Sequence, residues 1–413
     1  MIPKTTTVFS VHGDAPVLVT QLELDILADN AFKSQSIGVP QRIENGFVTG
    51  EHIYDIDFTY EKNGFDSVLL FALRIDTHNV PSNIKLAYKR MHEKAVVSQK
   101  EDSLGFLSKQ EKREATELTN RQIQEELAAG KYRKSTVIPV LWDLYRRQII
   151  FGTSSISAVD QLHKIMRESF NIELDQLPAG ATARRLDNMQ ITGDAFNDLR
   201  PTGFTEGPHE AVDTAELTDD LSIPFVPWVL SSVDPKDFLG NEFLLWLWWM
   251  CETHEGMVEI NNPDRHCKDR IGVVFDKSLQ MECAWGVGGR QVLTSDGPTR
   301  LKEASEALST GKWPRKAGLI IADLDSSEQW TLTLQADLMV AGGIKLPSTK
   351  EVQSPRELIE YQITSLRRIR TILFGLLVKF LDTRMSPEWD VTKDEMSGWI
   401  KKRHEAVSQT ATV

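Results

Sequence analysis

The sequence predicts an α+β fold of mostly antiparallel sheets with helices packed on one face. Two strand-like runs, residues 136–142 and 148–152, are joined by five residues, which is the pattern of a β-hairpin. Residues 156–170 follow at once, with apolar side chains at helical spacing. A hairpin and a helix that come after earlier strands and helices favour this class of packing.

The residues before the hairpin contain strands and helices in turn. Residues 5–11 are rich in β-branched side chains, and residues 17–32 carry apolar side chains among acids, as an amphipathic helix does. Residues 67–75, SVLLFALRI, predict a buried strand.

Two basic helices are predicted next, over residues 82–99 and 108–129. The first has an apolar stripe that includes Ile84 and Tyr88, with Lys and Arg on both sides of it. The second begins with Ser108 and has Glu111 three residues later, which is a capping box.

The second half of the chain begins and ends with apolar helices. Residues 235–252 are apolar all round, so this helix is either buried or part of an interface, and burial is favoured. Residues 356–384 form a long helix with an a/d seam that we expect to pack within its own chain. Between them a short helix is predicted over 299–309. The predicted strands are residues 270–275, 279–285, 291–294, 318–324 and 330–334, with turns at 276–277, 286–289 and 325–329.

The length of 413 residues is enough for two or three domains. Residues 186–222 hold nine acids and one base, together with several Gly and Pro, which is typical of a solvated linker or long loop. The predicted organisation is therefore an N-terminal α+β region, a linker and a C-terminal α+β region. Their ranges are 1–185, 186–233 and 234–413.

The composition is that of a globular protein, with 41% hydrophobic and 26% charged residues. The apolar runs are too short for a membrane span, and the N-terminus has no apolar signal region. Three cysteines in a long chain argue against a disulfide framework. These features predict a cytoplasmic protein without a membrane partner.

The net charge of −12 disfavours nucleic acid at first sight, but the charge is unevenly distributed. Residues 83–134 hold twelve Lys and Arg against eight acids, at helical spacing on two helices and a loop. Aromatic side chains are sparse there, which favours sequence-independent phosphate contact over base readout or stacking. The predicted DNA-binding residues are Lys85, Lys89, Arg90, Lys94, Lys109, Lys112, Arg113, Lys131, Arg133 and Lys134.

No catalytic fingerprint is present in the sequence. Cys251, His254, His266 and Cys267 are zinc-ligand types, but an adjacent His–Cys pair has poor geometry for one tetrahedral ion. We therefore expect no catalytic residues, no metal site and no cofactor, and we expect the protein not to be an enzyme.

Several segments together resemble the recombination-associated RdgC family. The resemblance rests on Ile75-Asp76 and Val80-Pro81-Ser82 before a basic helix, on the Lys/Arg-rich helix after Ser103-Leu104, and on IPVLWDLYRRQIIFGTSSISAVDQLHKIMRESF at 138–170. It continues in Asp296, in EALSTGK at 306–312, in KAGLI at 316–320 and in WTLTL at 330–334. It covers about three quarters of the chain in matching order, whereas residues 190–265 look like an insertion.

The resemblance implies a non-enzymatic protein that binds double-stranded DNA independently of sequence. It also implies a curved, multi-part architecture suited to a ring-shaped homodimer around the duplex, and functional antagonism with RecA-promoted strand exchange at the nucleoid. A lumen lined by the bases of residues 83–134 would attract DNA although the exterior is acidic.

Two alternatives remain open at this level. The first is a metal-dependent nuclease that uses Asp323 and Asp325, because alternate residues of a strand share a face. The second is a protein–protein interaction module whose working surface is the Trp-rich helix at 243–250.

Overall fold

The computed structural model describes residues 1–33, 41–98, 107–190, 196–207, 223–262, 267–349 and 352–410, without the side chains of 187–190 and 407–410. It is a mixed α+β fold of helices and antiparallel sheets, as predicted. Its two compact units are not consecutive in sequence. The first comprises Met1, Gly13–Tyr145 and Ser155–Glu173, and the second comprises Ile2–His12, Arg146–Ser154 and Leu174–Val413.

The first unit is built on the long strand β4, which pairs antiparallel with β2, β3 and β5. Its core includes an edge-to-face contact between Phe47 and Phe71, whose ring centroids are 5.2 Å apart. Its elements in chain order are α1 Gln21–Asp29, β2 Ile43–Val48, α2 Tyr60–Asn63, β3 Gly64–Phe65, β4 Val68–His78, α3 Ser82–Ser98, α4 Lys109–Ala128, β5 Arg133–Asp143 and α5 Ile156–Phe170.

The second unit contains a sheet in the strand order β10-β9-β11-β12-β13, with β8 also paired to β9. Its strands are β1 Thr7–His12, β6 Gln148–Phe151, β7 Glu173–Gln176, β8 Met257–Asn262, β9 Cys267–Cys283, β10 Gln291–Ser295, β11 Lys312–Asp323, β12 Glu328–Gln335 and β13 Val340–Lys345. Its helices are α6 Ala179–Gln190, α7 Phe238–Thr253, α8 Lys302–Ser309, α9 Pro355–Arg384 and α10 Trp389–Thr410, with short 3-10 helices at Pro227–Ser231 and Pro298–Arg300.

The predicted turn at residues 276–277 is wrong, because β9 continues through it as one strand of 17 residues. The register between β9 and β11 shifts at this point, and Lys277 has a φ of 63°. A Cβ at Gly318 would lie 2.1 Å from the carbonyl oxygen of Asp276, so only glycine permits this approach. The polar pair therefore forms a β-bulge and not a chain reversal.

The apolar helices of the second unit are core elements. Twelve consecutive residues of α7, from Phe238 to Trp249, are buried. The seam residues of α9 are buried within the chain, which confirms the intrachain packing predicted for Leu366, Ile369, Leu373, Leu376 and Phe380. The Trp-rich helix is thus enclosed and presents no working surface of the kind that the interaction-module alternative requires.

The predicted acidic linker contains packed residues where the structure describes it. Phe196 and Phe204 are buried, as are Val226 and Trp228 further on. These apolar side chains anchor residues 196–207 and 223–231 to the second unit, although the surrounding sequence is acidic. Residues 208–222, which carry five of the nine acids, lie outside the described residues.

Candidate nucleic-acid interface

The helices α3 and α4 pack against each other in the first unit and carry most of the predicted DNA-binding residues. The described side chains join them by two polar contacts: the Tyr88 hydroxyl donates to Oε1 of Glu126 at 2.7 Å, and Nε2 of His92 lies 2.9 Å from Oε1 of Gln122. The helix α3 has no buried residue, and its Leu86 side chain is 49% exposed. This leaves most of the surface of α3 open to a partner.

The four cations of α3 are all exposed. Within the described part of the chain, none of them has a carboxylate within ion-pairing distance. At about 100° per residue, Lys85 and Lys89 form one ridge, and Arg90 and Lys94 form a second ridge roughly 140° further round the helix. The helix α3 contains these four cations and one acid, Glu93, so its net charge is +3 (four minus one).

The cations of α4 are concentrated in its first turns. Lys109, Lys112 and Arg113 are exposed and carry no ion pair among the described residues. Cations near a helix N-terminus oppose the helix dipole, so they do not stabilise α4. Stability comes instead from the predicted capping box, in which Ser108 N donates to Glu111 Oε2 at 2.8 Å and Glu111 N donates to Ser108 Oγ.

A polar cluster closes the far end of the two helices. Glu126 accepts hydrogen bonds from Lys131 Nζ, from the Tyr88 hydroxyl and from the Tyr132 hydroxyl, each at 2.7 Å. The ammonium group of Lys131, followed by Tyr88, lowers the pKa of Glu126 to about 2. The charge of Lys131, one of the predicted DNA-binding residues, is therefore already matched by a carboxylate within the protein.

Arg133 is also held in an ion pair within the first unit. Its Nε lies 2.5 Å from Oδ2 of Asp76, a fully buried carboxylate that also pairs with Arg74. Burial opposes ionisation of Asp76, but the hydrogen bonds from Arg74, Ser135 and Arg133 outweigh it and lower its pKa. Lys134, the next residue, is exposed and has no carboxylate partner among the described residues.

The ten predicted residues thus fall into two groups. Two of them, Lys131 and Arg133, are held in ion pairs. The other eight, which we call the open cations, are exposed and have no ion pair in the described chain: Lys85, Lys89, Arg90, Lys94, Lys109, Lys112, Arg113 and Lys134.

The acids of the nuclease alternative are engaged in ion pairs in the second unit. Arg368 donates from Nη2 to Asp323 Oδ2 at 2.5 Å and from Nη1 to Asp269 Oδ2 at 2.7 Å. Asp325 pairs with Arg270 at 2.8 Å. Burial opposes the ionisation of Asp323, yet the hydrogen bonds from Arg368 prevail and lower its pKa. Arg368 and Arg270 therefore already serve as the counter-ions of these two carboxylates.

The zinc-ligand types do not assemble in the described residues. The Cys251 thiol donates to the carbonyl oxygen of Val273 at 3.2 Å, and burial raises the pKa of this thiol to about 12. Among described residues, no group of three or more His, Cys, Asp or Glu could hold a metal ion. His266 lies outside them.

Sequence reasoning missed the Glu126 cluster and the pairing of Arg133. Glu126 and Lys131 are five residues apart, which is not a helical pairing distance, and the chain reaches this geometry only because Gly130 and Tyr132 have φ values of 78° and 67°. Gly130 was the one available signal, since glycine after a helix indicates a left-handed end.

Comparison with known proteins finds no matching family model and no matching curated protein. In the described part of the chain, no helix has both the length and the apolar composition needed to cross a membrane.

Proposed function

We propose that this protein binds double-stranded DNA without sequence preference and does so without catalysis. The observation that carries the proposal is the set of eight open cations on the helical pair α3 and α4 and at the start of strand β5. Lysine and arginine side chains without internal counter-ions are the groups that neutralise phosphates and release condensed counter-ions on binding.

Phosphate contact fits this surface better than base stacking. Tyr88 and Tyr132 are half-buried, and both hydroxyls are bound to Glu126, so neither ring is free to move onto a base. Phe106 lies outside the described residues. A surface of this composition binds the backbone and carries no means of reading sequence.

The oligomeric part of the proposal rests on the resemblance to the RdgC family. A homodimer that encloses the duplex in a ring doubles the number of open cations around it and reconciles DNA binding with a net charge of −12 per chain. In the same proposal the protein is cytoplasmic, associates with the nucleoid and antagonises RecA-promoted strand exchange by occupying the duplex.

The first test measures duplex binding at several salt concentrations, with sedimentation velocity on the same sample. We expect log K to fall linearly with log salt, with a slope of roughly −0.9 for each phosphate contacted, and we expect equal affinity for unrelated duplexes of one length. A strong preference for one sequence, or binding that does not respond to salt, would contradict the proposal. A monomer in the presence of duplex would contradict the ring.

The second test neutralises α3 with Lys85→Gln, Lys89→Gln, Arg90→Gln and Lys94→Gln together. Its matched control makes the same charge change at four exposed lysines of the second unit, Lys302, Lys316, Lys401 and Lys402. The α3 variant should lose affinity and flatten the salt slope by roughly 0.9 per lost contact, whereas the control should change both only slightly. Equal losses in both variants would show that net charge alone drives binding.

The functional consequence is tested in a RecA strand-exchange reaction. Wild-type protein should slow the exchange of a duplex, and the α3 variant should slow it less at equal concentration. If both proteins inhibit equally, the inhibition does not depend on α3.

A further inference from the structure

The second unit contains a cavity of about 470 Å³ that is independent of the basic helices. It lies between α6, α9 and the turn before β13, and its walls include Leu177, Leu186, Phe374 and Leu377. Three arginines also line it, Arg146, Arg185 and Arg370, and no acidic side chain is among the described lining residues. A cavity of this volume is in the range that holds a small organic molecule.

Arg370 is the exceptional group in this cavity. Its one hydrogen bond in the described structure runs from Nη1 to the carbonyl oxygen of Met339, at a long 3.4 Å. A guanidinium group has five N–H donors, so most of its hydrogen-bonding capacity is unused. Arg370 is half-buried, and its partial removal from water lowers its pKa to about 10.

Three other buried or half-buried arginines of this chain each have a carboxylate partner. Arg74 pairs with Asp76, and Arg384 pairs with Glu242 at 2.7 Å. Arg368 holds two carboxylates, as described above. Withdrawing a charge from water without a partner is costly, and each of these three arginines has the carboxylate partner that Arg370 lacks among the described residues.

Arg185 adds a second cation at the mouth of the same cavity. It is exposed, and no ion pair or hydrogen bond engages it in the described residues. The hydroxyl of Thr371, which follows Arg370, accepts from Nη1 of Arg146 at 3.4 Å and lines the same wall. The polar groups of the cavity are therefore almost all cationic or hydroxyl donors.

We propose that this cavity binds a small amphiphilic anion, with its oxyanion head on Arg370 and Arg185 and its apolar body against Leu186, Phe374 and Leu377. The head is a carboxylate or a phosphate, because both accept paired N–H donors from a guanidinium. A cleft with mostly apolar walls and a few convergent polar groups is the usual construction of a small-molecule site.

The experiment is isothermal titration of the full chain with octyl phosphate, octanoate and inorganic phosphate, each below its micelle concentration where one exists. We expect one octyl phosphate or octanoate per chain, and the tighter of the two identifies the head group. Inorganic phosphate should bind at least tenfold more weakly, because it leaves the apolar wall empty. Equal binding of inorganic phosphate, or no binding of either octyl compound, overturns the proposal.

Two variants test whether the oxyanion head of the ligand binds at Arg370 and Arg185. Arg370→Gln and Arg185→Gln should each weaken octyl phosphate binding about tenfold or more, which is the usual effect of losing a hydrogen bond to a charged group. The control is Arg290→Gln, an exposed arginine of the same unit that pairs with Glu282. Arg370 is half-buried, so the exposed Arg185 provides a test that is independent of folding. Unchanged binding in Arg185→Gln and Arg370→Gln overturns the assignment.

A final experiment tests whether this site is separate from the proposed DNA-binding surface. Saturating duplex should leave octyl phosphate binding unchanged, and the α3 variant should bind octyl phosphate as the wild type does. Displacement of octyl phosphate by duplex would show that the cavity belongs to the nucleic-acid interface and would overturn the proposal of a separate site.

Discussion

Arg133 Nε and Asp76 Oδ2 lie 2.5 Å apart, and Arg74 donates to both oxygens of the same carboxylate. Asp76 is fully buried near the end of strand β4, and its one carboxylate is shared by two guanidinium groups, so the three side chains together keep a net charge of +1. The guanidinium of Arg74 also lies 3.9 Å from the centre of the Phe32 ring. This arrangement stabilises the strand pair β4–β5 and holds the Arg133 side chain against Asp76, so it is less free than Lys134 to contact a partner.

The variant Asp76→Asn should be strongly destabilising, because it leaves two guanidinium groups without their counter-ion. Breaking a buried pair costs about 3–5 kcal/mol, which urea denaturation of both proteins will measure. The pKa of Asp76 is lowered in the folded state, so its stabilisation is complete above its unfolded value and is lost as the pH falls below about 4. A variant as stable as wild type at pH 7 would contradict this account.

Adjacent residues should differ in their effect on DNA binding. Lys134→Gln removes an open cation, whereas Arg133→Gln removes one that Asp76 holds in an ion pair. We expect the first variant to reduce duplex affinity and salt slope, and the second to change them less while lowering the free energy of unfolding. The two variants carry the same charge change, so each serves as the control for the other. The reverse order of effects would refute the division into paired and open cations.

The hydrogen bond between Tyr88 and Glu126 should stabilise the packing of α3 against α4. Tyr88→Phe removes the 2.7 Å hydrogen bond and leaves the ring in place. Because α3 has no buried side chain, its amides should exchange hydrogen faster in this variant, while the strands β4 and β5 keep their protection. Tyr145→Phe is the control, since Tyr145 is 80% exposed. Unchanged exchange in α3 would show that the contact has no part in its stability.

Asp237 should make the stability of the second unit depend on pH. Its carboxylate is fully enclosed, accepts from Gly180 N at 2.8 Å and from Ser232 Oγ, and burial raises its pKa to about 6. The folded state therefore retains a proton between about pH 4 and 6 that the unfolded chain releases, and stability falls as the pH rises through this window.

The comparison with Asp237→Asn isolates this effect. The free energy of unfolding of wild type, relative to the variant, should fall by on the order of 2 kcal/mol between pH 4 and pH 7. Chemical denaturation at four pH values will measure the difference. If the two proteins keep a constant difference across this range, Asp237 does not titrate as described.

Asp323→Asn distinguishes a structural acid from a catalytic one. Asp323 is fully buried and accepts from Arg368, so the variant should lower thermal stability. Wild-type protein incubated with duplex and Mn²⁺ should leave the DNA intact. Cleavage by wild type that disappears in the variant would revive the nuclease alternative.

Local patterns were enough to predict most elements of the fold. Helix α5 is observed over the predicted residues, and the capping box of α4 forms as Ser108 and Glu111 indicated. The error at residues 276–277 has a physical reason: a bulge and a turn share the same polar residues, and the choice depends on Gly318 in a distant strand. Helix α10 and strand β2 had no strong periodicity and were not predicted.

It was harder to predict which cations of the candidate interface are ion-paired than to predict the fold, because ion pairing depends on three-dimensional contacts. Counting charges identified the basic segment but could not distinguish Arg133 from Lys134. Arg133 on β5 pairs with Asp76 on the neighbouring strand β4, whereas Lys134 has no such partner among the described residues. The unpaired state of Arg370 was likewise invisible, since it depends on which side chains do not reach the cavity.

The helix α3 has no buried side chain, so its exposed residues can be substituted with little effect on stability. Substitutions at the exposed positions of such a helix usually change the free energy of unfolding by less than about 0.5 kcal/mol. Its positive charge can therefore be raised or lowered, by natural selection or by design, with almost no effect on whether the chain folds. The surface charge of α3 and the stability of the fold are therefore separately adjustable traits.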